Sequence, residues 1–272
     1  MNSYQSPIDH TFGRPPPAGI RTALVGGGAG GIGAATALAL VRTGHRVVLA
    51  GRTAGRLAAT ASTLGDSADY IVCDLADPAA VTDAVAEVHN RHGSLDVVVA
   101  NAGGPALGRV LNVPDEQWHR DLDLLLLGPL ALMRAALPAM AARGFGRVIV
   151  LTSTAVRQPQ PQLATSTVLR SAMTAAAKLV AREYATDAVT VNCVAPGATL
   201  TPRRLEVLRG QAAAKGMNLD DTMTGDNADI PAKRAANPAE VAAAVAFLAS
   251  PEAAYVNGTT LTVDGGRTEY PL

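Results

Sequence analysis

Short apolar runs of four to six residues recur along this chain, and between them apolar residues return every three or four positions over longer stretches. The first pattern is that of a buried strand and the second that of a helix with one covered face, so their alternation predicts βαβ units around a parallel sheet. Strands are expected at 22–26, 46–50, 70–73, 96–100, 147–152, 189–194 and 260–263. Unbroken runs such as Val97-Val98-Val99 mark strands covered on both faces. Helices are expected at 32–43, 53–64, 78–92, 115–143, 164–186 and 238–248. Gly44, Gly65 and Gly93 stand at the stops of the first three, and Asp77 before Pro78 marks a start. Segment 202–233, with mixed polarity and Gly210, Gly216 and Gly225, is the least regular and reads as an insertion over one end of the sheet, a lid or a surface loop. Residues 1–19 carry no period and read as a flexible arm. No linker marks a second domain.

The apolar run 124–133 is interrupted by Gly128-Pro129 and bracketed by Asp123 and Arg134. A bilayer span needs about 20 such residues, so this stretch is assigned to a core rather than to a membrane. The N-terminal arm is polar and ends in Arg14-Pro15-Pro16-Pro17, unlike a secretory signal, and a cytoplasmic protein is expected. Apolar residues make up 48% of the 272, and 23 Lys and Arg balance 23 Asp and Glu to a net charge of +0. No global field draws the chain to nucleic acid or an anionic membrane, which leaves a small molecule as the expected partner. Cys73 and Cys193 fall in strand-like runs and read as buried thiols. The five histidines have no ligand spacing, and no metal site is expected.

The first strand runs straight into Gly26-Gly27-Gly28-Ala29-Gly30-Gly31-Ile32-Gly33 and then into a helix. Glycines admit a pyrophosphate close to the backbone, and the helix N-terminus offers free N–H groups and a positive dipole end, so a dinucleotide site is predicted. Two registers fit, Gly28-x-Gly30-x-x-Gly33 and Gly27-x-x-x-Gly31-x-Gly33. Where a carboxylate at the end of strand two would accept from an adenosine 2′-hydroxyl, the chain has Arg52. A guanidinium suits a 2′-phosphate, which favours NADP(H) over NAD(H).

From here the chain resembles a short-chain dehydrogenase/reductase, similar to the ketoreductases that act on acyl-carrier-protein substrates. The likeness rests on Gly27-x-x-x-Gly31-Ile32-Gly33, Cys73-Asp74-Leu75, Asn101-Ala102-Gly103, the run 191–197 ending Pro196-Gly197 with Thr201 beyond it, and Gly258-Thr259 with Val263-Asp264-Gly265-Gly266 at the close. The resemblance implies a single Rossmann domain over residues 20–272, a doubly wound seven-stranded parallel sheet with helices on both faces. It also implies assembly into a homotetramer or dimer. It assigns the cofactor to Gly27, Gly30, Gly31, Ile32, Gly33, Arg52, Asp74, Leu75, Asn101, Ala102, Gly103, Pro196, Gly197, Thr199 and Thr201. Members of the family pair a Ser with a Tyr thirteen residues on and a Lys four further, helped by an Asn in the preceding long helix. Counted from Ser153, the Tyr place holds Ser166, the Lys place Arg170 and the Asn place Leu125.

Hydride delivery to a carbonyl builds an oxyanion that must be protonated or held by fixed positive charge. Neither a serine nor an arginine supplies a proton near neutral pH. Ser166 and Arg170, four apart on one helix, share a face on which the guanidinium can meet a developing oxyanion beside Ser153. Two functions follow: an NADP-dependent oxidoreductase with Ser153, Ser166 and Arg170 at its catalytic site, or a non-redox enzyme or cofactor-binding module on the same fold.

Overall fold

A computed structural model describes residues 19–105 and 107–270 of the chain. The expected arm, except for Gly19, lies outside them. The elements run β1 (Thr22–Gly26), α1 (Gly31–Arg42), β2 (Arg46–Gly51), α2 (Ala54–Leu64), β3 (Ala68–Val72), α3 (Pro78–His92), β4 (Val97–Ala100), α4 (Asp115–Leu122), α5 (Gly128–Arg143), β5 (Gly146–Leu151), α6 (Ala164–Glu183), β6 (Val189–Pro196), α7 (Pro202–Lys215), α8 (Leu219–Ala228), α9 (Pro238–Ala249) and β7 (Thr260–Val263). The strands form one seven-stranded sheet in the order β3-β2-β1-β4-β5-β6-β7, and every pairing is parallel.

Alternate residues of each central strand feed opposite layers. Val98, Val148, Val150 and Val191 pack with Val85 and Val88 of α3, Leu132 and Met140 of α5 and Met173 of α6. Val97, Val99 and Ile149 pack with Leu40 of α1, Leu57 of α2, and Val241, Val245 and Leu248 of α9. Each fully buried side chain of this size contributes about 1.5–3 kcal/mol, so the two layers hold the strand ends in fixed register. Helix α3 shows how local chemistry sets the boundaries: the Asp77 carboxylate accepts from the Ala79 and Ala80 amides, Pro78 opens the first turn, and Gly93 closes the helix at φ 77°.

Two expectations are corrected. The segment 202–233 is mostly helical: Thr201 caps α7 by accepting from the Arg204 amide, and Asn218 caps α8 by accepting from the Asp221 amide. The helix expected over 115–143 is not uniform, because a π-helical turn at Asp123–Leu127 separates α4 from α5. Pro129 has no N–H for the Leu125 carbonyl, and the Gly128 amide bonds instead to Asp123, five residues back. By length and apolarity the whole run Asp115–Arg143 could cross a membrane. In the fold its apolar side chains Leu125, Leu132, Met133, Leu137 and Met140 are buried in the protein interior.

Candidate active site

Chain connections leave β1 and β4, adjacent in the sheet, toward opposite sides, and a crevice opens beyond the carboxyl ends of such strands. A cleft of about 730 Å³ lies there, walled by the turn after β1, the ends of β2 to β6 and the start of α7. Its floor is the glycine turn. Gly27 and Gly31 adopt φ of 60° and 55°, a region closed to most side chains. A Cβ on Gly33 would stand 2.1 Å from the Gly27 carbonyl oxygen. The positive φ values fall on Gly27 and Gly31 of the second register, Gly33 belongs to both, and Gly28 of the first is hemmed in by Leu49, 2.8 Å from where its Cβ would be. The Asn101 side-chain amide donates to the Gly26 carbonyl at 2.9 Å and ties the end of β4 to this turn.

Of the residues expected to hold a cofactor, Gly27, Gly30, Gly31, Ile32, Arg52, Asp74, Leu75, Asn101, Ala102, Gly103, Pro196, Gly197, Thr199 and Thr201 all line the cleft. Gly33 lies behind the wall, where its missing side chain lets the helix meet the turn. Thr201 reaches over Gly31, where an added Cβ would meet its methyl group at 3.3 Å.

The three expected catalytic residues also meet at this cleft. Ser153 follows β5, and its Oγ accepts from the Ala155 amide at 3.1 Å. Ser166 is buried in the first turn of α6. Arg170, one turn on, donates from Nε to Ser166 Oγ at 3.3 Å and from Nη1 to the Leu151 carbonyl at the end of β5. Both serine oxygens are thus held as acceptors, leaving their O–H groups free to donate into the cleft. Burial pushes the Arg170 guanidinium down to about 10, so it remains a cation at neutral pH. Leu125 is buried in the π-turn, and its neighbour Leu124 lines the cleft. No tyrosine, histidine or lysine lines the cleft among the described residues.

A family model described as enoyl-(acyl carrier protein) reductase matches residues 27–268. The chain belongs to the short-chain dehydrogenase/reductase superfamily. It is 36% identical over 248 residues to the short-chain reductase protein NovJ of Streptomyces niveus, covering 90% of this chain and 93% of that protein. It is 31% identical over 246 residues to the 3-oxoacyl-[acyl-carrier-protein] reductase FabG of Escherichia coli, covering 90% and 96%. The crystal structure of a variant actinorhodin polyketide ketoreductase with NADPH matches with a TM-score of 0.88 at 31% identity, covering 92% of this chain and 98% of that one.

This short-chain dehydrogenase/reductase carries more positive charge at its cleft than its neutral composition suggests. Among the described residues, Arg52, Arg56, Arg170, Arg203 and Arg204 face it against only Asp74 and Glu206. Arg203 pairs with Glu206 at 3.1 Å, and Arg204 pairs with Asp226 of α8. Arg52, Arg56 and Arg170 have no carboxylate within ion-pair distance among the described residues. Arg56, Arg203 and Arg204 escaped the sequence reading. Arg56 was findable, because it stands one helical turn beyond Arg52, and its Nη2 lies 3.2 Å from where a Gly30 Cβ would be. Arg204 was not, because its place depends on two helices hidden in a stretch of mixed polarity.

Proposed function

We propose that this protein is an NADP(H)-dependent oxidoreductase that reduces a carbonyl or imine, or oxidises the corresponding alcohol or amine, without a tyrosine acid. The observation that carries this reading is a glycine turn and unpaired arginines at one end of a single cleft, with Ser153, Ser166 and Arg170 at the other. The residues fit the cofactor. The turn Gly27–Gly31 and the start of α1 would take the pyrophosphate, Arg52 and Arg56 the 2′-phosphate, Asp74 and Leu75 the adenine side, and Asn101 to Gly103 with Pro196, Gly197, Thr199 and Thr201 the nicotinamide half. The related actinorhodin ketoreductase, solved with NADPH, supports that choice of nucleotide. When bound, the cofactor supplies or accepts a hydride.

The chain's own residues do the rest. The Ser153 and Ser166 hydroxyls orient the substrate oxygen by donating to it, and Arg170 places a fixed positive charge beside the oxygen as negative charge develops. One such donor is worth on the order of 10²-fold in rate, because it is already aligned and shielded from water. The proton comes from water or from an acidic group of the substrate. A purified sample mixed with NADPH and a panel of ketones and imines is expected to lose nicotinamide absorbance. No loss with any of them at any pH would overturn the reading.

The Ser166 and Arg170 replacements also favour a second reading, in which the cleft holds the nucleotide for a reaction without net hydride transfer. It predicts tight NADPH binding and unchanged nicotinamide absorbance throughout that panel. Assembly into a homodimer or tetramer is supported by Val168 and Leu179, apolar side chains that α6 leaves exposed, and light scattering at two concentrations tests it.

A further inference from the structure

A second cavity, of about 540 Å³, lies between α6 and the strand β7 and shares no lining residue with the active-site cleft. Two cations line it, Lys178 of α6 and Arg157 of the turn after β5, and among the described residues no aspartate or glutamate does. Neither cation has a carboxylate within ion-pair distance among those residues. Cys193 of β6 supplies no counter-charge either. Burial pushes its thiol up to about 11, against hydrogen bonds with Thr174 and Thr260, so it stays neutral at ordinary pH. The cavity therefore carries two positive charges and no negative one.

The edge of the sheet holds these charges in place. Strand β7 is the last of the seven. The Thr259 carbonyl turns inward and accepts from the Cys193 amide of β6, whereas the carbonyls on either side of it accept from the cations. Lys178 Nζ donates to Gly258 at 3.0 Å and Arg157 Nη2 to Thr260 at 3.1 Å. Two residues of chain span at most about 7 Å, so the two anchoring carbonyls are close neighbours. An ammonium has three N–H donors and a guanidinium five. The strand engages one nitrogen of each side chain, and the other donors have no acceptor among the described residues. Two like charges anchored this near one another repel, and negative charge in the cavity removes the repulsion while filling the open donors.

We propose that this cavity is a binding site for a small organic dianion, one negative charge for each of Arg157 and Lys178. The remaining lining supports a carbon skeleton between the charges, because Val156, Ala175, Ala177 and Val191 give the cavity apolar wall as well. Its volume is that of a small-molecule site. The class of ligand is a short dicarboxylate or a phosphate monoester, which share two negative charges on a compact frame. Neither Arg157 nor Lys178 lines the active-site cleft, so this site stands apart from the hydride-transfer reading.

The test is calorimetric titration of the full chain with succinate, methyl phosphate and butyrate, in the wild type and in Arg157→Gln, Lys178→Gln and Arg157→Lys. Succinate or methyl phosphate is expected to bind at one site, and the tighter of the two tells a dicarboxylate ligand from a phosphate monoester. Butyrate has the length of succinate with a single charge and is expected to bind at least about tenfold more weakly. Each Gln variant is expected to lose about tenfold in affinity for the dianion and Arg157→Lys to stay within about threefold, as loss or retention of one charge-assisted contact requires. Glutamine can still donate to the strand carbonyl, so its effect reads charge, and melting curves check that the variants fold. Anion held by the arginines of the active-site cleft would survive both Gln substitutions, and affinity unchanged in both would overturn the proposal. So would the absence of saturable binding of either dianion to the wild type, or equal affinity of the wild type for butyrate and succinate, whatever the variants do. The affinity for NADPH should be the same in all four proteins, and its loss from the wild type would count against the hydride-transfer reading alone.

Discussion

Removing the two unpaired arginines at the adenosine end of the cleft should separate NADPH from NADH. Arg52 follows β2 and Arg56 lies in the first turn of α2, and both are exposed. A hydrogen bond to a charged group is worth about 1.5–3 kcal/mol, and exposure to water and salt reduces that to about 1–2 kcal/mol for each arginine. At 1.4 kcal/mol per decade this is roughly a 5- to 30-fold rise in Kd for Arg52→Ala or for Arg56→Ala. The double variant should lose somewhat less than the product, since the two groups share one phosphate. NADH has no 2′-phosphate, so its Kd should move less than about twofold. The assay is titration of either nucleotide by nicotinamide fluorescence, repeated at low and high salt. The wild type should lose more NADPH affinity with salt than either variant. Equal losses for the two nucleotides would refute the assignment of Arg52 and Arg56 to the 2′-phosphate, because a merely structural defect does not distinguish them.

Gly33→Ala drives a methyl group into the Gly27 carbonyl. It should cost about 1–3 kcal/mol by overpacking, lowering Tm and weakening both nucleotides alike; an unchanged Tm would show that the turn yields easily. Ser153→Ala and Ser166→Ala are each expected to lower kcat on the order of 10²-fold with the NADPH Kd unchanged, and a change confined to Kd would remove them from the chemistry. His45 is buried, and desolvation with the nearby charge of Arg21 holds its imidazole below its ordinary 6.5, against the pull of the Leu40 carbonyl and Asp96. The unfolded chain therefore binds the proton more readily, so this contribution to stability is present above about 6.5 and is lost as pH falls toward the lowered value. Melting curves between about pH 8 and 5 should fall more steeply for the wild type than for His45→Gln, and parallel curves would contradict the sign.

Much of the architecture could be read from the chain. All seven strands lie where the apolar runs place them, β1 and β7 with both ends as expected and the others with an end shifted by one or two residues, because an apolar run does not say where pairing with a neighbour stops. The third strand moved most, to Ala68–Val72, since its residues are only partly buried and leave a weak period. Helices α7 and α8 carried their signals in caps rather than in a face: Thr201-Pro202 and Asn218 at the starts and Gly216 at φ 63° after α7. A pair of helices packed on each other and on a cleft edge buries too narrow a stripe for periodicity to reveal it. The π-turn followed from Pro129, whose missing amide was visible, although the compensating bond from Gly128 was not. At the site, the positions of Ser153, Ser166 and Arg170 came from the family resemblance, by counting its Ser, Tyr and Lys places from Ser153. The hydrogen bonds that leave Arg170 Nη2 without a partner depend on the Leu151 carbonyl, nineteen residues away in sequence, and no local pattern encodes that contact.

The central claim is that fixed charge at Arg170, rather than a titrating protein acid, carries the reaction. The measurement that tests it most directly is the pH dependence of kcat at saturating NADPH and substrate. With no group of intermediate pKa on the described walls, kcat should stay level from about pH 6 to 9 and then fall with the loss of one proton as Arg170 titrates near its lowered value of about 10. A decline governed by a single pKa between about 6 and 9 would reveal a protein acid at work and contradict the account.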